Sequence, residues 1–259
     1  MKIAFSPCPN DTFVFHALVH GLVAGAPGLD VTFADVDVTN TAALDGHFDI
    51  VKVSYAALPW LLDQYELLPC GGALGRGCGP LVVARPGAVV KRVAVPGDRT
   101  TAYLLFRLWA KENYEIEVVP FHEIMPGVAA GKWDAGLVIH EARFTYQNYG
   151  LVSLADLGEW WEQDTGLPIP LGAILAKPEI AAQATEWIRE SVRMAWADPD
   201  ASRDYVQQHA QEMDSDVQRQ HIALYVNEFT DSLGEAGYEA ARTLLARAAQ
   251  AGITPAVRL

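Results

Sequence analysis

The chain has 259 residues, 51% of them hydrophobic, with 32 acidic against 19 basic side chains and a formal charge of −13 at pH 7. That length suffices for one large domain or two small ones around a packed core, and so negative a surface repels phosphate backbones, which argues against nucleic acid as a partner. Any anionic ligand has to be held by local dipoles and hydroxyls, since no cluster of Lys and Arg offers a basic field.

No apolar run reaches membrane-spanning length, so no membrane insertion is expected. The opening residues, Met1-Lys2-Ile3-Ala4-Phe5-Ser6-Pro7, read as a strand running into a turn rather than as a targeting segment. Cys8, Cys70 and Cys78 form no CxxC pair and no ligand-spaced set, which fits reduced thiols in a cytoplasmic protein.

In chain order, Ile3–Ser6 is a short apolar strand and Thr12–Val23 has helical spacing after an Asn-Asp start. Val31–Val38 alternates as a half-buried strand; Thr39-Asn40 suit the cap of a short helix over Thr41–Asp45, stopped by Gly46. Ile50–Ser54 is a strand and Tyr55–Asp63 turns helical, followed by an irregular glycine-rich segment from Gly71 to Pro80. Leu81–Ala84 is a fully apolar strand. A second α/β run follows: strand Arg92–Val95, helix Thr100–Asn113, strand Ile116–Phe121, helix Ile124–Gly131 and strand Ala135–His140. After the strand-like Leu171–Lys177, the spans Pro178–Asp198, Asp200–Met213, Asp216–Thr230 and Gly234–Gly252 all read as helices.

Strands alternating with helices predict largely parallel sheets covered on both faces. Leu81–Ala84 and Gly172–Ala176 bracket the middle run and are read as two crossings between lobes. The expected architecture is a hinged clamshell: residues 1–83 with 175–259 form a larger α/β lobe, 84–174 a smaller inserted one. The ligand cleft lies between them, at the carboxyl ends of strands.

Missing motifs narrow the chemistry. The glycines at 72, 75, 77 and 79 do not take GxGxxG spacing, and there is no P-loop, HExxH or GxSxG. His122-Glu123 lacks a second histidine one turn on, and His16 with His20 lacks a third ligand, so packing explains that pair and no metal site is read.

Four loops carry small polar groups. Ser6-Pro7-Cys8-Pro9-Asn10-Asp11-Thr12 serves as a capped helix start, a rigid cleft rim, or both. Lys52-Val53-Ser54 ends a strand, and Lys52 in an apolar run demands a partner or a wet cleft. Thr100-Thr101-Ala102 opens an amphipathic helix whose free N–H groups and hydroxyls suit a carboxylate, although an N-cap alone accounts for the same residues. His140 ends an apolar strand, where an imidazole is either a structural residue or a base at the lobe's mouth. Arg143 and Tyr146 beyond it orient that residue or a ligand, or are ordinary surface contacts.

Taken together these stretches resemble the 1,4-dihydroxy-6-naphthoate synthase family of the futalosine route to menaquinone. The resemblance is carried by Ser6–Phe13, Gly71–Gly77, Gly79–Arg85, Val93–Gly97, Thr100–Tyr103 and Ile139–Tyr146. It continues through Asp156–Glu162 and Thr165–Ala176, and is weakest in the C-terminal helices. It implies a type 2 periplasmic-binding-protein-like fold used as a cytoplasmic lyase. The implied substrate is cyclic dehypoxanthine futalosine, a small carboxylate, with His140 as proton acceptor. It further implies substrate contacts at Lys52, Val53 and Ser54 and at Thr101 and Ala102, with Thr100 and Asn10 beside them, and calls for no metal or organic cofactor. Two alternatives stand: a non-catalytic binding protein for a small carboxylate, and the chorismate-dehydrating enzyme of the same route. Trp160-Trp161 and the helical C-terminus offer apolar surface for a homodimer.

Overall fold

The computed structural model describes residues 1–210 and 214–259. The chain begins with β1 (Lys2–Phe5), α1 (Pro9–Val19), β2 (Asp30–Phe33), α2 (Val36–Ala42), β3 (Ile50–Ser54), β4 (Glu66–Leu67) and β5 (Ala73–Gly75). It passes to β6 (Leu81–Ala84), β7 (Arg92–Val95), α3 (Thr101–Trp109), β8 (Glu115–Val118), α4 (Phe121–Ala129), β9 (Ala135–Val138), α5 (Ala142–Thr145), β10 (Val152–Asp156) and α6 (Leu157–Thr165). It returns through β11 (Ile169–Ala176) to α7 (Ala181–Ala197), α8 (Arg203–His209), α9 (Ser215–Tyr225), α10 (Glu228–Asp231) and α11 (Gly234–Gln250).

Two sheets result. One runs β2-β1-β3-β11-β4, with β5 also pairing β11; the other runs β10-β6-β9-β7-β8. Pairing is parallel within β2-β1-β3 and β9-β7-β8. It is antiparallel at β6, β10 and β11, so the sheets are mixed rather than largely parallel. Every residue of β3 is buried, because α1 and α7 cover one face of the first sheet and a core shared by both lobes covers the other.

Sheet membership moves the expected lobe boundaries. β6 lies entirely in the second sheet, so the outward crossing precedes residue 81 instead of following it. β11 pairs β3 along Gly172–Ala176, so the return precedes residue 169 and the inserted lobe ends short of 174.

Several elements differ from their sequence reading. The alternation over Val31–Val38 breaks after Phe33: Asp35 adopts the extended N-cap conformation and starts α2, which leaves Val38 exposed. Thr39-Asn40 lie inside that helix rather than capping a later one, while Gly46 does stop the next turn at φ 65°. α1 begins at Pro9, whose fixed φ suits a first helical position. β10 and α6 carried no clear periodic signal. The end of the helix expected over Asp200–Met213 lies outside the described residues, and the helix itself runs Arg203–His209. Trp161 is fully buried and donates from Nε1 to the Pro168 carbonyl at 3.0 Å, and Trp160 packs on the same core, so this pair is not an open face for a second copy.

The segment before β6 meets α6 at two glycines. A Cβ on Gly79 would lie 2.1 Å from the Gly158 nitrogen, closer than any relaxation of a side chain can relieve. Gly79→Ala should therefore destabilise the protein by about 2–4 kcal/mol; urea unfolding of the variant at unchanged stability would refute this packing.

Candidate active site

A cleft opens between the lobes. Asn10, Lys52, Ser54, Thr100, Thr101, Ala102 and His140 all line it. Val53 does not. Alternation along β3 sends Lys52 and Ser54 to the cleft side, while Val53 is fully buried in the shared core opposite Ala173.

On the first lobe the wall is held by a buried ion pair. Lys52 Nζ donates to Asp11 Oδ1, and Asp11 also accepts from Ser6 Oγ at 2.7 Å and Asn10 Nδ2 at 2.8 Å. The partner that Lys52 demanded is thus the acidic residue in the first turn of α1. Ser54 is clamped by Asn40, which donates to its Oγ at 3.1 Å and accepts from its N–H at 2.7 Å. With its oxygen accepting from Asn40, the Ser54 hydroxyl keeps its own proton for another acceptor.

The second lobe contributes the start of α3. Thr100 is the N-cap: its Oγ1 accepts from Tyr103 N at 3.2 Å and donates to Gly97 O at 2.8 Å. Thr101 Oγ1 donates to Leu171 O at 2.8 Å and accepts from Ala56 N at 3.2 Å, bonds that tie the inserted lobe to the first. Both hydroxyls are therefore committed to structure, contrary to the expected role as anion donors. The groups left for an anion are the N–H groups of Thr101 and Ala102, which precede the first acceptor within the helix. Further links cross the cleft: Asn40 Nδ2 donates to Arg99 O at 3.2 Å, and the Arg99 guanidinium lies 5.5 Å from the Trp60 ring centre.

His140 follows β9 and is the one non-glycine residue with positive φ among the described residues, at 55°. A side chain held in the left-handed region is strained unless its surroundings enforce it, and such residues cluster at functional sites. Here Arg143 enforces it: its Nη1 donates to Gly79 O at 2.8 Å and its Nη2 pairs with Asp156 at 2.5 Å, which pins α5 against the neighbouring turns. Phe121 packs edge-on against the imidazole at 5.5 Å. Burial pulls the His140 pKa down to about 4, partly opposed by Asp11 and reinforced by Lys52. At neutral pH the imidazole is uncharged and able to accept a proton.

Cys8 and Glu141 lie beside His140, and ligand atoms from the three sit within 4.8 Å of one another, a set able to hold a metal ion. Burial, with Glu141 and Asp11 nearby, raises the Cys8 pKa well above its ordinary value, so the neutral thiol is favoured. His16 and His20 instead stack with each other and with Tyr205, the packing role read from their spacing.

Two cleft residues, His221 and Tyr225, escaped the reading of the sequence. They come from α9, whose buried stripe is Gln218, His221 and Tyr225. A helix whose inward stripe is polar was the available signal, since an ordinary buried stripe is apolar.

Residues 1–250 match a protein-family model described as menaquinone biosynthesis. The chain belongs to that family. A protein of Streptomyces coelicolor named 1,4-dihydroxy-6-naphthoate synthase is 63% identical, across 99% of this chain and 95% of its own. One of Thermus thermophilus with the same name is 48% identical, across 98% and 95%. Among solved structures, a protein of Archaeoglobus fulgidus superposes with TM-score 0.92 at 32% identity, covering 97% of each chain. The ligand-binding component of an ABC-type importer from Staphylococcus aureus superposes at 0.73 with 14% identity, over 99% of this chain and 94% of that one, which shows the periplasmic-binding-protein-like fold.

The Lys52–Asp11 pair is the most exacting element of the cleft wall. Lys52→Met leaves the Asp11 carboxylate buried without its cation and should cost roughly 3–5 kcal/mol, much of it recovered when Asp11→Leu is added. Urea denaturation of the single and double variants checks this, and a single variant as stable as the parent would contradict it.

Proposed function

We propose that this protein is a cytoplasmic 1,4-dihydroxy-6-naphthoate synthase, a lyase acting on cyclic dehypoxanthine futalosine with His140 as proton acceptor. The observation that carries the reading is 63% identity to a protein of that name over nearly the whole chain. A strained, neutral histidine in an interlobe cleft supports its mechanistic part.

The substrate carboxylate sits on the N–H groups of Thr101 and Ala102, where the α3 dipole supplies positive potential that the charge of −13 cannot. The Ser54 proton is directed to a second substrate oxygen. His140 takes a carbon-bound proton, and the electron pair left behind expels the sugar-derived portion as the ring becomes aromatic. The fixed φ of His140 and the Arg143 clamp hold the imidazole on one approach line, so little reorganisation precedes transfer. The lobe-bridging bonds of Thr101 exclude water while the proton moves.

His140→Ala should fold and bind ligand but lose about 10²–10⁴-fold in turnover of the cyclic substrate, measured as dihydroxynaphthoate formed; near-native turnover would remove His140 from the reaction. Thr101→Val deletes two interlobe hydrogen bonds and should raise KM about tenfold with a smaller change in kcat, so an unchanged KM would deny the hydroxyl a role in closure.

The pH dependence has a definite sign. The base works when neutral, so kcat/KM should fall only as pH drops through about 4 and stay level from there to neutrality. Stability behaves differently: the unfolded chain takes up this proton near the ordinary value of 6.5 and the folded one near 4, so stability declines as pH falls across that window. An acid limb near 6.5 in kcat/KM would assign the base elsewhere.

A further inference from the structure

His221 is 1% exposed, lines the cleft, and plays no part in the proton transfer above. Its Nε2 lies 2.9 Å from Asn10 Oδ1. The orientation of that amide is settled by its other end, since Asn10 Nδ2 donates to Asp11 Oδ1, which also accepts from Lys52. Asn10 therefore presents a carbonyl oxygen to His221, and the imidazole proton has to be on Nε2. That leaves Nδ1 with a lone pair, buried and without a hydrogen-bond partner. Burial, with His140 and Lys52 nearby, holds the His221 pKa well below its ordinary range, so the ring stays neutral and Nδ1 stays an acceptor. The His140 ring centre is 6.4 Å away, so a ligand that reaches the base also reaches His221.

The geometry points to His221 as a specificity-determining residue whose Nδ1 accepts a hydrogen bond from a ring hydroxyl of the bound dihydroxynaphthoate, an inference that rests on the synthase reading. A buried orphan acceptor selects by exclusion as well as by attraction. A ligand with no hydroxyl there leaves the nitrogen unsatisfied in a dry site.

Two substitutions separate this role from a structural one. His221→Gln can keep a donor toward Asn10 but removes the Nδ1 acceptor, whereas His221→Asn can keep an acceptor near Nδ1 and loses the bond to Asn10. His221→Met, without either nitrogen, serves if the Gln variant does not fold. Each folded protein is titrated calorimetrically with 1,4-dihydroxy-6-naphthoate and with the naphthoate lacking both hydroxyls. The wild type and His221→Asn should prefer the dihydroxy ligand on the order of tenfold, and His221→Gln or His221→Met should show no preference. A preference kept by Gln and lost by Asn would make the Asn10 bond the whole role and overturn the proposal, as would equal preferences in all variants or none in the wild type. Wild-type turnover of the cyclic substrate is measured alongside. Turnover without the hydroxyl preference removes His221 and leaves the synthase reading; the preference without turnover does the reverse.

Discussion

The buried pair between Lys52 and Asp11 is the constraint on which the first-lobe half of the cleft depends. A lysine inside a strand covered on both faces is costly to desolvate, and its carboxylate partner comes from the first turn of α1. Asp11 then orders its neighbours: it receives Ser6 and Asn10, and Asn10 in turn orients His221. The same pair dictates backbone identity next door, because a Cβ on Gly172 of β11 would lie 2.8 Å from Lys52 Cε. One charge pair thus sets the tautomer of a histidine, the rotamer of a serine and the need for a glycine.

The second-lobe half is organised by backbone rather than by charge. The N-cap of α3 and the hydroxyl of Thr101 are consumed in holding the helix start and the opposing lobe, which leaves main-chain N–H groups to meet an anion. That division suits a protein of charge −13, in which a basic anion site would carry its own desolvation cost and the helix dipole does not. The lobes approach closely where a Cβ on Gly97 would lie 2.7 Å from Asp37 Cβ, so closure depends on small residues as well as on hydrogen bonds.

The strain at His140 belongs to the same design. A left-handed histidine persists because Arg143, Gly79 and Asp156 hold the turn from behind. Arg143 was legible as a neighbour of His140, but its target, the Gly79 carbonyl on the irregular segment leading into the inserted lobe, was not. Cys8, which stood out only by its place in the first loop, is a buried neutral thiol beside Glu141.

Local chemistry was enough to mark most strands, the start of α3 and the stop at Gly46, because periodicity, capping and turn preferences act within a few residues, while for Asn10, Lys52, Ser54 and His140 it left a structural and a cleft role both open. It misjudged Val36–Val38, where two valines at alternate positions belong to a short helix, and it drew the lobe boundary at residue 83, inside β6, since an apolar strand does not announce which sheet it will join. The partnerships were decided only by the tertiary structure: Lys52 finds Asp11 across 41 residues, Thr101 finds Leu171 across 70, and His221 finds Asn10 across 211. The residue types fix which groups can donate, accept or carry charge; folding decided which of those capacities are spent inside the protein and which, as with the α3 amides at the cleft and the buried His221 Nδ1, are left without a partner in it.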